Sequence, residues 1–154
     1  MEIQRLSGKD LERMQGLLDL FGEVFREPDT YGAARPSAAY QRDLLDDPGF
    51  VALAALDRGA VVGGLAAYEL RKFEQERSEF YLYDLAVAGS HRRRGIATGL
   101  IEALKKIAAS RGGYVIFVQA DWADEAPVAL YSKLGRREDI HHFDIDVAQG
   151  RPET

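Results

Sequence analysis

The sequence predicts a mixed α/β domain, a central sheet with helices on both faces. Three observations carry this expectation. Apolar segments between Phe50 and Val87 are joined by short turns, as in an antiparallel meander. The third of them runs through an arginine-rich loop into an amphipathic helix and a further apolar strand, which makes a βαβ unit. The whole order is β-α-α-β-β-β-α-β-α-β, with no internal repeat, low-complexity stretch or linker. One domain is expected over residues 1–147, with 148–154 a disordered tail.

Each element has its own signal. Glu2 to Leu6 suits a short first strand. From Asp10 to Phe25, Leu11, Met14, Leu17, Leu18, Phe21 and Phe25 recur at helical spacing. Glu27-Pro28-Asp29 ends that helix, and Tyr31 to Pro36 is expected to be loop. Ser37 is an N-cap for a second helix to about Leu45. Asp46 to Gly49 makes a turn before the strand Phe50 to Leu56. Asp57-Arg58-Gly59 is a hairpin turn, and Val61 to Leu70 is the return strand. Gly63-Gly64 within it marks a bulge or a close contact. Arg71 to Arg77 is a charged connection to Ser78–Val87, a strand apolar on both faces and therefore central.

Ile96, Leu100, Ile101, Leu104, Ile107 and Ala108 mark a helix to about Ser110, closed by Gly112-Gly113. Tyr114 to Gln119 is a β-branched and aromatic strand. After the acidic loop Asp121 to Glu125, Pro127 opens a helix to Leu134 and Gly135 closes it. Ile140 to Val147 alternates as a last strand, with Phe143, Ile145 and Val147 on one face and His142, Asp144 and Asp146 on the other.

Composition narrows the function. The chain has 154 residues, 46% of them hydrophobic, enough for a real core. A formal charge of −5 argues against nucleic-acid binding and suits both solubility and a cationic ligand. With no cysteine, there is no disulfide, thiolate metal site or cysteine-linked covalent intermediate. Met1 to Arg5 lacks a signal-peptide pattern, and the longest uncharged apolar run, Ala60 to Tyr68, is too short to span a bilayer. A cytoplasmic protein without membrane contact is expected. His141 and His142 have no third ligand at suitable spacing, so no metal site is expected.

The chemistry concentrates between Tyr83 and Thr98. Arg92-Arg93-Arg94-Gly95-Ile96-Ala97 lies between an apolar strand and an amphipathic helix. Gly95 lets the backbone approach a phosphate, the first helical N–H groups are free donors, and the arginines add forked cationic donors. The pattern fits a nucleotide, coenzyme A or RNA. It lacks both the Gly-x-Gly-x-x-Gly dinucleotide fingerprint and a P-loop. Asp84 interrupts the apolar run Leu82 to Val87 just before this loop. It is either a proton acceptor or a carboxylate that satisfies backbone N–H groups at a bulge.

These residues resemble the GNAT family of N-acetyltransferases. That family's acetyl-CoA loop, Arg/Gln-x-x-Gly-x-Gly/Ala, is matched by Arg92, Gly95 and Ala97, and Ala129 to Gly135 looks like its second cofactor motif. Fragments from end to end resemble more closely the aminoglycoside 3-N-acetyltransferases of the gentamicin-resistance type. They are Leu18 to Gly22, Phe73 to Gln75, Arg77 to Glu79, Tyr83 to Val87, Val118 to Asp121 and His142 to Asp146.

The resemblance implies the GNAT fold, acetyl-CoA as cosubstrate and an amine that attacks directly in a ternary complex, at the 3-amino group of the aminoglycoside. The pantetheine arm would enter between Ser78–Val87 and Tyr114–Gln119. It would pair with backbone around Leu85, Ala86 and Val87, the Leu85 N–H facing the thioester oxygen. Arg92, Arg93, Arg94, Gly95, Ile96, Ala97 and Thr98 would hold the pyrophosphate. Asp84 would be the base that frees the amine, and Tyr131 the acid that protonates the leaving thiolate. Asp124 stands where many members place a pantetheine-facing asparagine, Pro127 where alanine is common, and Arg136 replaces the usual aromatic.

A polycationic substrate needs carboxylates. Glu79, Asp121, Asp124, Glu125, Asp144 and Asp146 are the candidates beside Asp84, and Tyr81 and Trp122 either line the cleft or simply pack. The family also implies a homodimer and a role in antibiotic resistance. Two rivals stand: acetyl transfer to a polyamine or a peptide N-terminus, and a non-catalytic module that binds coenzyme A or RNA through the arginine loop.

Overall fold

A computed structural model describes residues 1–148. It contains β1 (Glu2–Arg5), α1 (Leu11–Val24), α2 (Pro28–Gly32), α3 (Ala38–Asp46), β2 (Phe50–Asp57), β3 (Ala60–Arg71), β4 (Ser78–Val87), α4 (Ile96–Ser110), β5 (Gly113–Val118) and α5 (Glu125–Leu134). A short 3-10 turn, Gly89–His91, separates β4 from the arginine loop. One compact unit spans Met1–Gln119, and a second begins at Ala120. No helix of the described residues is long and apolar enough to cross a membrane.

The first unit is built on a sheet of order β1-β2-β3-β4-β5. The first three pairings are antiparallel, and β4 pairs with β5 in parallel. The meander and the βαβ unit expected from the sequence are thus both present. The Asp57–Gly59 connection carries positive φ at Arg58 (52°) and Gly59 (82°), the backbone of a tight hairpin. Ser37 caps α3 by accepting from the Tyr40 N–H.

Gly63 and Gly64 explain how both faces of the sheet are covered. Neighbouring strand residues point to opposite faces. A Cβ on Gly64 would lie 2.3 Å from Leu17 Cδ1 of α1, and one on Gly63 would lie 2.9 Å from Ile96 Cγ2 of α4. The two helices therefore press on opposite faces at adjacent residues. Gly63 pairs with Val87, so Ile96 anchors the start of α4 beside the end of β4. Leu17, Leu65, Leu100 and Leu104 are fully buried between these layers. Each contributes about 1.5–3 kcal/mol of burial.

Two expectations need correction. Residues from Tyr31 on are not all loop, because Pro28 starts the five-residue helix α2. Proline stops one helix but suits the first turn of the next, since no N–H bond is required there. The stretch Ile140–Val147 is not a strand, and its side chains are exposed. Alternation supplies two faces, but a strand exists only through ladder bonds to a neighbour, and this segment has none among the described residues. The expected tail, apart from Ala148, lies outside the described residues.

Candidate active site

The site grows from β4. Its pairing with β5 ends at Leu82↔Val118, while β4 itself runs on to Val87. On its other side β4 stays paired with β3, but Ala66 faces Asp84 and Ala67 faces Leu82. Tyr83 is therefore an extra residue, a β-bulge. The bulge changes which peptide groups point outward. Before it, the Ser78 N–H bonds toward β5, to Gly112 O at 3.1 Å; after it, the Ala88 N–H bonds toward β3, to Val62 O at 2.8 Å. Peptide groups alternate along a strand. Val87 and Leu85 thus face the side on which β5 has ended, and Ala86, buried, faces β3. An extended ligand laid there would find the Leu85 and Val87 backbone groups in strand-like register.

Next comes the arginine loop. Gly95 caps α4 with φ of 76°, a left-handed conformation that glycine adopts without strain, and Arg93 has φ of 63°. No side chain caps the helix, so its first N–H groups are not taken by a cap. Arg92, Arg93 and Arg94 are exposed and form no ion pair with any described residue. Ile96 is buried, Ala97 half-buried and Thr98 exposed. His91 ties the loop to the β2–β3 hairpin through Asp57 Oδ2 at 2.8 Å. Uncapped N–H groups and three arginines without an ion pair among the described residues have the chemistry to receive an anion.

Asp84 is half-buried. Tyr31 Oη donates to its Oδ2 at 2.8 Å. Burial raises the Asp84 pKa; the Tyr31 hydrogen bond pulls it down, and the nearby Glu27 charge pushes it up. The net result is a carboxyl above its ordinary value. Around it lies a row of aromatic rings: Tyr68–Tyr83 at 5.8 Å, Tyr81–Tyr83 at 5.4 Å and Tyr81–Phe117 stacked at 4.6 Å. Tyr83 is 59% exposed, and Tyr81 donates to Gln119 Oε1 at 2.9 Å.

The other expected acids differ. Glu79 accepts from Tyr114 Oη at 2.6 Å and lies 3.5 Å from Lys72 Nζ. The Tyr114 bond and Lys72 hold its pKa below the usual value. In the second unit, Asp121 and Asp124 are exposed, and Asp124 is the N-cap residue of α5 without a side-chain cap bond. Asp144 is exposed and pairs with His142 at 2.8 Å. Without a strand, Asp144 and Asp146 lose the period-two argument for a shared face. Tyr131 lies on α5, half-buried. Trp122 stacks under the Arg137 guanidinium, 4.3 Å from its ring centroid. No group of three or more histidines and carboxylates suited to a metal ion occurs among the described residues.

Tyr31, Glu27 and Tyr83 were not among the expected site residues. A tyrosine just after Pro28-Asp29 is a detectable signal only if the proline is read as a helix start.

Similarity to known proteins fits this geometry. No curated protein matches the chain. An aminoglycoside acetyltransferase from an uncultured soil metagenomic sample is 60% identical, with TM-score 0.93 over 96% of this chain and 98% of that one. A second aminoglycoside acetyltransferase of soil metagenomic origin, solved with sisomicin, is 30% identical, with TM-score 0.88 over 96% of each chain. A ribosomal-protein-alanine N-acetyltransferase from Brucella melitensis is 26% identical, with TM-score 0.74 over 94% of this chain and 98% of that one. The model of the acetyltransferase (GNAT) family matches residues 14–135. Since that match covers most of the sequence, the chain belongs to the acetyltransferase (GNAT) family.

Proposed function

We propose that this chain transfers the acetyl group of acetyl-CoA to the 3-amino group of an aminoglycoside, and that this modification confers resistance to the drug. The observation that carries the reading is Asp84: a half-buried carboxyl with a raised pKa, beside a strand end whose backbone is open on one side and an unpaired arginine loop. The identity to aminoglycoside acetyltransferases supports the substrate class. Residues 1–147 form one functional domain in this reading, supported by a family match that continues from the first unit into the second, as far as residue 135.

The residues present suit acetyl-CoA as cosubstrate. The N–H groups at the start of α4, with Arg92, Arg93 and Arg94, would hold the pyrophosphate, and Leu85 and Val87 would pair with the pantetheine arm. The substrate amine arrives as ammonium and must lose a proton before it attacks. Asp84 accepts that proton, and burial brings its basicity closer to the task. As the nitrogen bonds to the thioester carbon, the Leu85 N–H donates to the carbonyl oxygen. The carbon–sulfur bond then breaks, Tyr131 gives its phenolic proton to the thiolate, and the second proton, shed by the nitrogen as it becomes an amide, passes through water to restore the phenol. Asp121, Asp124, Asp144 and Asp146 supply negative charge for the remaining ammonium groups.

Thiol release from acetyl-CoA, measured in parallel with gentamicin, spermidine and a peptide amine, tests the reading. Release with gentamicin is expected, and NMR of the product locates the acetyl group. Release with spermidine or the peptide alone would overturn the substrate; no release with any amine would overturn catalysis.

A further inference from the structure

We propose that Tyr31 is a positioning residue for the base: its phenol holds one carboxylate oxygen of Asp84 and leaves the other to meet the substrate ammonium. The proposal rests on the reading of Asp84 given above. Tyr31 Oη lies 2.8 Å from Asp84 Oδ2, and no hydrogen bond to Oδ1 is made by any described residue. The phenol is well braced. Its ring packs against Phe21 of α1 at 5.7 Å and against Phe25, the residue that caps the end of α1, at 5.8 Å. Gly22 adds to this, since a Cβ there would stand 3.4 Å from Tyr31 Cβ. Helix α2, begun by Pro28, thus seats close to α1 and delivers one hydroxyl to a strand 53 residues further on.

The direction of the bond is fixed. Burial and the neighbouring Asp84 push the Tyr31 pKa far above the ordinary tyrosine value, so the hydroxyl stays protonated and donates. Titratable groups facing Asp84 are Tyr31 on α2, Glu27 just before it, Tyr68 on β3 and Tyr81 on β4, with Tyr83 acting on Tyr31, Tyr68 and Tyr81. Tyr31 alone among them forms a hydrogen bond with the carboxylate. It favours the charged form and lowers the pKa, against burial and Glu27. It also fixes the plane in which Oδ1 is presented. A floppy carboxylate would lose reactive geometry even at the right protonation state.

The test uses Tyr31→Phe, which keeps the ring and its packing on Phe21 and Phe25. Gentamicin kcat/KM should fall about tenfold, as for loss of a charge-assisted hydrogen bond. The acid limb of the kcat/KM–pH profile should move to higher pH, because the bond that favours the carboxylate is gone. Acetyl-CoA affinity should stay within about twofold, as expected for a site without contact to the phenol. Incorporation of 3-fluorotyrosine at position 31, a stronger donor in the same shape, should move the limb to lower pH. An unmoved limb in both variants overturns the proposal, as does a Tyr31→Phe enzyme with full activity. Asp84→Asn separates the two failures. If Asp84→Asn is inactive while both Tyr31 profiles match wild type, only positioning fails; if Asp84→Asn keeps its activity, the base reading fails and takes the proposal with it.

Discussion

Glu79 and Asp84 are carboxylates on the same strand, five residues apart, and their pKa values move in opposite directions. At the start of β4 the strand is paired on both sides, and Glu79 sits between Tyr114 and Lys72 with its pKa lowered. At the end of β4 the neighbour on one side is gone, a bulge has intervened, and Asp84 is half-buried with its pKa raised. Glu79 is stabilised in its charged form by a cation and a hydroxyl. Among the described residues Asp84 has one hydroxyl, no cation and a further carboxylate, Glu27, close enough to oppose its charge. A carboxylate that lacks such partners has a higher proton affinity, as the proposed base role of Asp84 requires. A satisfied acid supports the fold, whereas an under-satisfied one is available to a substrate.

The strongest way to break this comparison is to neutralise each acid in turn. Asp84→Asn should lower kcat/KM by about 10²–10⁴, the usual span for general-base removal, with acetyl-CoA affinity retained. Equal losses from Glu79→Gln and Asp84→Asn would erase the distinction. Next in size is the loop that serves the open end of the strand. Arg92→Ala should raise the KM for acetyl-CoA about tenfold and leave the amine KM alone, as expected for a lost charged donor to phosphate.

A smaller effect is expected from the aromatic row beside Asp84. Tyr83→Ala should raise the aminoglycoside KM about threefold to fivefold with little change in kcat, since an exposed ring against a cation is worth a modest amount. Titrimetric melting sharpens the contrast further. A raised folded-state pKa means that Asp84 opposes folding once it is ionised, so Asp84→Asn should melt higher than wild type at neutral pH. That difference should vanish below the ordinary aspartate pKa, where the group is protonated in both folded and unfolded chains. Glu79 has the reverse sign: its contribution is present above the ordinary glutamate pKa and fades as pH falls through its lowered value. Glu79→Gln should change kcat/KM by less than about twofold, because Glu79 is engaged by Tyr114 and Lys72 and its loss removes only a modest ion pair.

Much of this was legible in the chain. The meander followed from apolar runs and an Asp-Arg-Gly turn, and α4 from six apolar residues at helical spacing. The arginine turn was legible because its components are contiguous. Asp84 was visible as a polar break in an apolar strand. By contrast, Ile140–Val147 alternates well and forms no strand, since the pattern records faces and not partners. Tyr31 is not legible as a site residue, because Pro28 signals the end of one helix as readily as the start of the next. Glu79 is legible only as one candidate carboxylate among several, because its place on β4 says nothing about Lys72 or Tyr114.

By itself, then, the sequence determined what depends on neighbours along the chain: periodicity, turn chemistry, and the glycine that lets a strand hand over to a helix beside three arginines. Tertiary structure alone decided that Tyr83 is a bulge, that β4 outruns β5, and that Tyr31 reaches Asp84. The physical reason is that a pKa is set by desolvation and by the groups folded over the carboxyl. For Asp84 those groups come from a helix 53 residues away.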